Sequence, residues 1–371
     1  EKCCALFCTF SRVHLRKMLC SFAGFHGPAV SAAVRTSPAR LQPKWDSLRS
    51  HAPARELQSG VLFGLISVGW VRSRAASSRL VIQAIGDEVS SLQAQDAFVV
   101  QDLGPKGAGV LAAREIQRGE LLLSEPPLIV VPVQRDARRL DVWEQQIRGA
   151  LANCPEEKQS AFWNLSDCHS EGEKTATGIV RTNGLPIEMA DGSDVVGVYP
   201  TMSRFNHSCN NNVNNSYQAE AGGEVLYALR DISKGEELCI TYIDLFLTRQ
   251  ERQEALQRIF NFRCTCSACT NSGAALLASN SCRERMKKLR EALPSAVQQG
   301  LGEQVIAKLV ELIDQELAGN PAAKTYTYYM GYQLLGAVSR DLAVKYAGKA
   351  LQEAVVAEGP TSWLSTMLKD P

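Results

Sequence analysis

From residue 97 onward the chain shows short apolar runs cut by turn residues. Runs at 97–101, 110–113, 121–124 and 128–133 are separated by Gly104-Pro105 with Gly107 and Gly109, by Arg118-Gly119 and by Pro126-Pro127. Stretches this short, bounded by Gly and Pro, predict strands joined by tight turns. The period changes over 136–168, where Leu140, Trp143, Ile147 and Leu151 recur at helical spacing. Strands are expected again at Ile179-Val180, 195–199, 224–229 and 238–242, the last two joined by a Lys234-Gly235 turn. Residues 248–260 read as an amphipathic helix with Leu256, Ile259 and Phe260 on one side. From Arg283 onward the pattern is helical throughout. Met286, Leu289 and Leu293 form one stripe, Val305, Ile306, Leu309, Leu312 and Ile313 another, and two more helices fall within 329–357, split near Ser339. Antiparallel helix pairs are the economical packing for such a run. The pairs are similar to tetratricopeptide units, without a clean repeat period. The fold class expected is α+β, with β-rich and helical parts in succession.

Composition narrows the class. The chain has 371 residues, 45% hydrophobic and 21% charged, which is ordinary for a globular protein and excludes a collagen, a coiled coil or a wholly disordered chain. Its longest apolar run, 60–71, is too short to span a bilayer, so no membrane is expected. The net charge of +1 is unevenly placed. Residues 1–86 carry 12 Lys/Arg and 3 Asp/Glu, while the remainder carries 28 and 36 and is acidic by 8 charges. An acidic body argues against a direct nucleic-acid binder. Residues 1–90, rich in Arg, Ser and Ala, read as a disordered or transit-like leader.

Two groups of residues carry chemistry. Cys264-x-Cys266-x-x-Cys269 puts three thiols within six residues, directly after a predicted helix. Thiolates this close call for a soft cation, and zinc takes four ligands, so a fourth is expected from elsewhere in the chain. The other group is Arg204-Phe205-Asn206-His207-Ser208-Cys209, followed by an Asn-rich loop. Alone it could be a turn with a satisfied histidine. Its context is Lys106-Gly107-Ala108-Gly109 upstream, then Gly235-Glu236-Glu237-Leu238, Tyr242 and the cysteine cluster downstream.

This order of motifs, with Asn183 and Phe262, resembles a SET-domain protein lysine methyltransferase of the SET-and-MYND type. The resemblance is strong over 98–270, most specific over 235–269, and weak over 283–363. It implies a β-rich SET domain with a zinc-binding post-SET segment (95–270, with a helical insert at 134–178), then a helical tetratricopeptide-like domain (283–371). The implied cofactor is S-adenosylmethionine, with Lys106, Gly107, Ala108, Asn183, Asn206, His207 and Phe262 as its contacts, Lys106 near the carboxylate and Phe262 stacking on adenine. Tyr242 is the implied catalytic residue, and Cys209 the fourth zinc ligand beside Cys264, Cys266 and Cys269. The implied reaction is in-line methyl transfer to a neutral lysine amine, in which alignment supplies most of the rate.

The chain departs from the pattern in four places. Residues 134–178 hold only Cys154, Cys168 and His169, too few for the two zincs of a MYND finger. Asn211 stands where proline is usual and is expected to loosen its loop. Leu185 stands where relatives often line the lysine channel with an aromatic. Ala108 replaces a polar or basic residue. These departures leave open a non-catalytic zinc-containing SET scaffold that binds peptides. The leader suggests a plastid enzyme, against which the cysteine cluster counts. The expected partner is a protein or peptide lysine, histone or not. A monomer in nucleus or cytoplasm is the accompanying expectation, with organelle import as the alternative.

Overall fold

The structure, a computed structural model, describes residues 92–93, 96–188 and 193–371. The leader expected at 1–90 lies outside the described residues. The N-terminal half of the described chain is built from short strands in small sheets. Strands β2 (Phe98–Asp102), β3 (Ala108–Ala112), β4 (Leu121–Glu125) and β5 (Ile129–Pro132) fall where the short apolar runs place them, and β1 (Leu92–Gln93), which no run announced, precedes them. Helices α1 (Leu140–Leu151), α2 (Glu156–Trp163) and α3 (Ala176–Asn183) follow. Strands β6 (Leu185–Glu188), β7 (Asp194–Val198), β8 (Asn206–His207), β9 (Val213–Gln218), β10 (Gly223–Ala228) and β11 (Cys239–Ile240) complete this part. Among the described residues the sheets run β1-β4-β10-β9, β5-β7-β6, β2-β3 and β8-β11. One core joins Phe98, Val110, Leu122, Phe205, Leu226 and Leu238, and a second gathers Trp143, Ile147, Phe162, Ile179 and Val198 under the α1–α3 layer.

Past this half the chain is helical: α4 (Arg249–Phe260), α5 (Ser267–Thr270), α6 (Gly273–Gln298), α7 (Gly302–Glu316), α8 (Pro321–Gly336), α9 (Arg340–Ala357) and α10 (Trp363–Met367). Among the described residues no helix is long and apolar enough to cross a membrane. Helix α4 starts where its sequence says it should. Thr248 accepts from the Glu251 N–H while the Glu251 carboxylate accepts from the Thr248 N–H, a closed capping box. It ends at Asn261, whose left-handed backbone (φ 56°) swings the chain toward Phe262 and the cysteines.

Three expectations are corrected. Ile179-Val180 lies in α3 and not in a strand. The β-branched pair reads as extended, but the Glu144 carboxylate of α1 accepts from the N–H groups of Ala176 (3.0 Å) and Thr177 (2.6 Å), and Thr175 caps Gly178. A tertiary partner therefore satisfies the first turn and overrides local propensity. The strand expected over 238–242 shrinks to Cys239–Ile240, because β8 is itself only two residues long and offers no further partner. Helix α6 begins at Gly273 rather than near Arg283, since its small first residues carry no apolar period to read. Strand β9 (Val213–Gln218) was not expected, its sequence being mostly polar.

Candidate functional site

Two very short strands form the floor of the site. β8 runs parallel to β11, pairing Asn206 with Cys239 and His207 with Ile240. Asn212 locks the junction: its Nδ2 donates to the Glu237 carbonyl (2.9 Å) and its Oδ1 accepts from the Cys239 N–H (2.8 Å). Glu237 is the hub. Its carboxylate accepts from Lys106 Nζ (2.6 Å) and from Asn206 Nδ2 (3.1 Å), and Asn206 Nδ2 also reaches the Ala108 carbonyl (3.2 Å). That last contact uses backbone, so alanine at 108 does not remove it. The Glu237 hydrogen bond pushes the Lys106 ammonium up from its ordinary value. A Cβ at Gly109 would lie 2.7 Å from Asn206 Nδ2 and 2.3 Å from the Leu103 side chain, so a larger residue would have to displace both.

His207 bridges two parts of the site. Its Nδ1 accepts from the Tyr242 N–H (3.0 Å), and its Nε2 lies 3.3 Å from Cys209 Sγ. An accepting Nδ1 leaves the proton of the neutral ring on Nε2, directed at sulfur. Burial pushes the imidazole down to about 4, so the ring is neutral. Tyr242 lies two residues past the end of β11. Its hydroxyl donates to the Phe205 carbonyl (2.8 Å), and its ring packs on Phe260 and His207 at centroid distances of 4.9 and 5.3 Å. Burial pushes this hydroxyl well above its ordinary value, so it stays protonated.

The sulfur atoms of Cys209, Cys264, Cys266 and Cys269 all lie within 4.8 Å of one another, with Cys209 and Cys269 3.5 Å apart. A tetrahedral ion with bonds of about 2.3 Å to sulfur would set the sulfurs roughly 3.8 Å apart, so the group has the size of a metal site. Helix α4 aims it. Gln253 bonds both the carbonyl (2.7 Å) and the N–H (3.0 Å) of Cys264, and Arg252, fully buried, donates to the Leu247 carbonyl (2.7 Å) and lies 3.8 Å from Cys269 Sγ. Asn211 does not loosen its loop as expected. Its side chain is buried, donating to the Val213 carbonyl (2.9 Å) and accepting from Asn320 (3.0 Å) at the start of α8.

These groups open on one cavity of about 530 Å³, within the usual range for small-ligand sites. Lys106, Ala108, Asn183, Leu185, Asn206, His207, Tyr242 and Phe262 all line it, as do Cys264 and Cys266. Gly107 sits in the adjoining turn with φ 71° and is not part of the wall. Asn183 spends its amide hydrogens inside the chain, on the Ser166 and Ile179 carbonyls (2.7 and 2.8 Å), so a ligand would meet its oxygen. Leu185 pairs across β6–β7 with Gly197. Sequence reasoning missed Glu237 as a site residue although it stands in a motif that draws attention. It also assigned no site role to Phe260, Cys168 and Arg204, although each stood in a stretch already singled out, and it missed Arg181 and Arg263, which carry no local signal; all five line the cavity.

Residues 107–243 match the family model of the SET domain. The chain is 33% identical over 175 residues to a protein of Schizosaccharomyces pombe named histone-lysine N-methyltransferase set5, covering 47% of this chain and 51% of that one. It is 42% identical over 74 residues to histone-lysine N-methyltransferase SMYD3 of Homo sapiens, covering 20% and 17%. With N-lysine methyltransferase SMYD2-B of Danio rerio the identity is 33% over 113 residues, covering 30% and 25%. The chain thus spans about half of the first of these relatives and a quarter or less of the other two.

Proposed function

We propose that this chain, which carries a SET domain over residues 107–243, is a protein-lysine N-methyltransferase that uses S-adenosylmethionine. The observation that carries the reading is the single cavity that gathers Lys106, Asn183, Asn206, His207, Tyr242 and Phe262 from segments up to 156 residues apart. When bound, the cofactor supplies an electrophilic methyl group on a sulfonium. The residues present suit it: a lysine for a carboxylate, amide groups at Asn183 and Asn206 for polar edges, and the Phe262 ring for a π face.

The chain's own groups then have defined tasks. Tyr242, which lines the cavity and is held protonated with its hydroxyl anchored on the Phe205 carbonyl, would offer a fixed hydroxyl oxygen to a ligand there. Such an oxygen orients the incoming amine and favours the charge distribution of the transition state. The Tyr242, Phe260 and Leu185 side chains exclude water, which favours the neutral amine that must react. Cys209, Cys264, Cys266 and Cys269 are the residues that would hold zinc. A structural zinc there would fasten the segment carrying Phe262 to the loop carrying Asn206 and His207, so that metal and cofactor sites are set together.

The test is incubation of purified protein with isotope-labelled S-adenosylmethionine and whole-cell protein, followed by mass spectrometry of lysines. Label on lysine side chains, lost in Tyr242→Phe, supports the reading. Binding of peptide with neither cofactor binding nor label overturns it in favour of a scaffold.

A further inference from the structure

The acidic part of the chain encloses a basic cavity. Residues 87–371 hold 28 Lys/Arg against 36 Asp/Glu. Among the described residues, however, the cavity is lined by Lys106, Arg181, Arg204 and Arg263 and by a single carboxylate, Glu237. That carboxylate is already taken up by Lys106 and Asn206. The cations differ in what occupies them. Lys106 is paired with Glu237, and Arg204 donates to the Asn164 carbonyl at the end of α2 (3.4 Å). Arg181 and Arg263 are exposed and make no hydrogen bond or ion pair with a described residue.

Apart from the cysteine group, whose four thiolates on a divalent ion would be net negative, charge balance bears on what these two can meet. The proposed cofactor carries a sulfonium and an amino acid zwitterion, so it is net positive: its single carboxylate is offset by its own ammonium and would reach Lys106 only alongside Glu237. The proposed acceptor is a lysine. Neither ligand supplies an anion for two more guanidinium groups, and both are disfavoured by uncompensated positive charge. The remaining component is the polypeptide around the acceptor lysine. A cation-lined cleft concentrates substrates of opposite sign and repels those of like sign. Guanidinium also binds carboxylate in paired geometry.

Resting on the methyltransferase reading above, we propose that the substrates are lysines flanked by acidic residues, with Arg181 and Arg263 receiving the flanking carboxylates. Lysines in basic tracts are the disfavoured class.

A peptide library with one fixed lysine and varied neighbours, Asp/Glu, Ala/Ser or Lys/Arg on either side, tests this with the full chain. Methylation is read with labelled cofactor, and binding is read separately by fluorescence anisotropy. Acid-flanked peptides are expected to exceed basic ones by about tenfold or more in kcat/KM, with a margin that shrinks as salt is raised. Arg181→Gln with Arg263→Gln should abolish that margin, and Arg181→Glu with Arg263→Glu should invert it, while cofactor affinity stays within about twofold. Equal or preferential use of basic peptides overturns the proposal and leaves the methyltransferase reading intact. So does a tenfold loss of cofactor affinity in the glutamine variant, which would assign the arginines to the cofactor's own carboxylate. Selective binding of acid-flanked peptides without methylation sinks the enzymatic reading, and with it the claim that these peptides are substrates, while keeping Arg181 and Arg263 as carboxylate receivers.

Discussion

Tyr242 combines a structural bond with a place in the cavity, and one substitution separates the two. Tyr242→Phe removes the donor to the Phe205 carbonyl. It should lower stability by about 1–2 kcal/mol, since a part-buried acceptor loses its partner. If the hydroxyl also acts in the transition state, turnover per folded molecule should fall by ~10²-fold or more with little change in cofactor affinity. Melting temperature and single-turnover rate on one sample decide it; a normal rate with a lowered melting point removes Tyr242 from the chemistry. Leu185 tests the channel. If Leu185, which lines the cavity, walls a lysine channel, Leu185→Phe should shift product toward lower methylation states, and identical product distributions would refute a role for this position. Outside the cavity, Glu224 sits opposite Glu125 in the β10–β4 register, both buried, with Asn215 donating to Glu224 (3.0 Å) and the rings of Tyr199 and Tyr217 close by. Burial, helped by the Glu125 charge, pushes the Glu224 carboxyl up to about 8. The folded protein therefore holds a proton that the unfolded chain releases near its ordinary value of 4.5, so stability should fall as pH rises from about 5 to 8 and level off above. Glu224→Gln should flatten that slope in a melting series against pH; parallel slopes for the two proteins would reject the assignment.

At the scale of elements, α4 and the loop that follows it assemble the four-cysteine group. The Thr248–Glu251 box starts the helix, Gln253 pins Cys264, and Asn261 turns the chain so that Cys264, Cys266 and Cys269 meet Cys209. About one zinc per folded chain is expected, because a structural site is nearly full, and less than ~0.2 by metal analysis refutes it. Cys209→Ser should lose the metal and several kcal/mol of stability together, as metal binding and folding are coupled. Local elements such as this one were legible in the sequence, because a capping box, an apolar stripe and a cysteine spacing act over a few residues. Helix α3 was not, because what satisfies its first turn is Glu144, more than thirty residues away. Nor could Asn211 be read correctly. Judged alone it is a lost proline, but in the fold it is one half of a buried amide pair with Asn320.

Across the molecule, the helical part grips the segment that follows Tyr242. Leu245 and Phe246 are buried among Met286, Leu309, Leu312 and Ile313. Two arginines seven residues apart on one side of α6 add polar holds. Arg283 donates to the Leu245 carbonyl, and Arg290 pairs with Asp244 (2.7 Å) while its guanidinium lies over the Phe246 ring. On the other side α9 reaches the β sheet, where its Ala357 carbonyl accepts from Asn214 (3.0 Å) and Glu353 pairs with Arg118 (3.2 Å). The helices are thus continuous with the site rather than an appended module. Arg290→Met keeps the bulk of the side chain but strands the Asp244 carboxylate, and should cost about 3 kcal/mol. If Asp244 positions Tyr242 through the intervening Ile243, turnover of the folded fraction should fall as well, and an Asp244→Asn/Arg290→Met double variant should recover stability more than rate. Additive stability losses in the pair would show that the two residues do not interact.

Sequence alone determined the succession of short strands and long helices, the cysteine spacing that calls for a soft metal ion, and the motif order that pointed to a methyltransferase. Each depends on residues that are neighbours in the chain, so periodicity, capping and ligand spacing express it directly. Tertiary structure alone decided that Asn206 lies beside Cys239, that Glu237 ties the glycine turn to the Asn206 loop, and that four cations line the cavity. These pairings join segments whose separation has no period. They are selected by which packing buries the apolar faces while leaving most buried polar groups a partner.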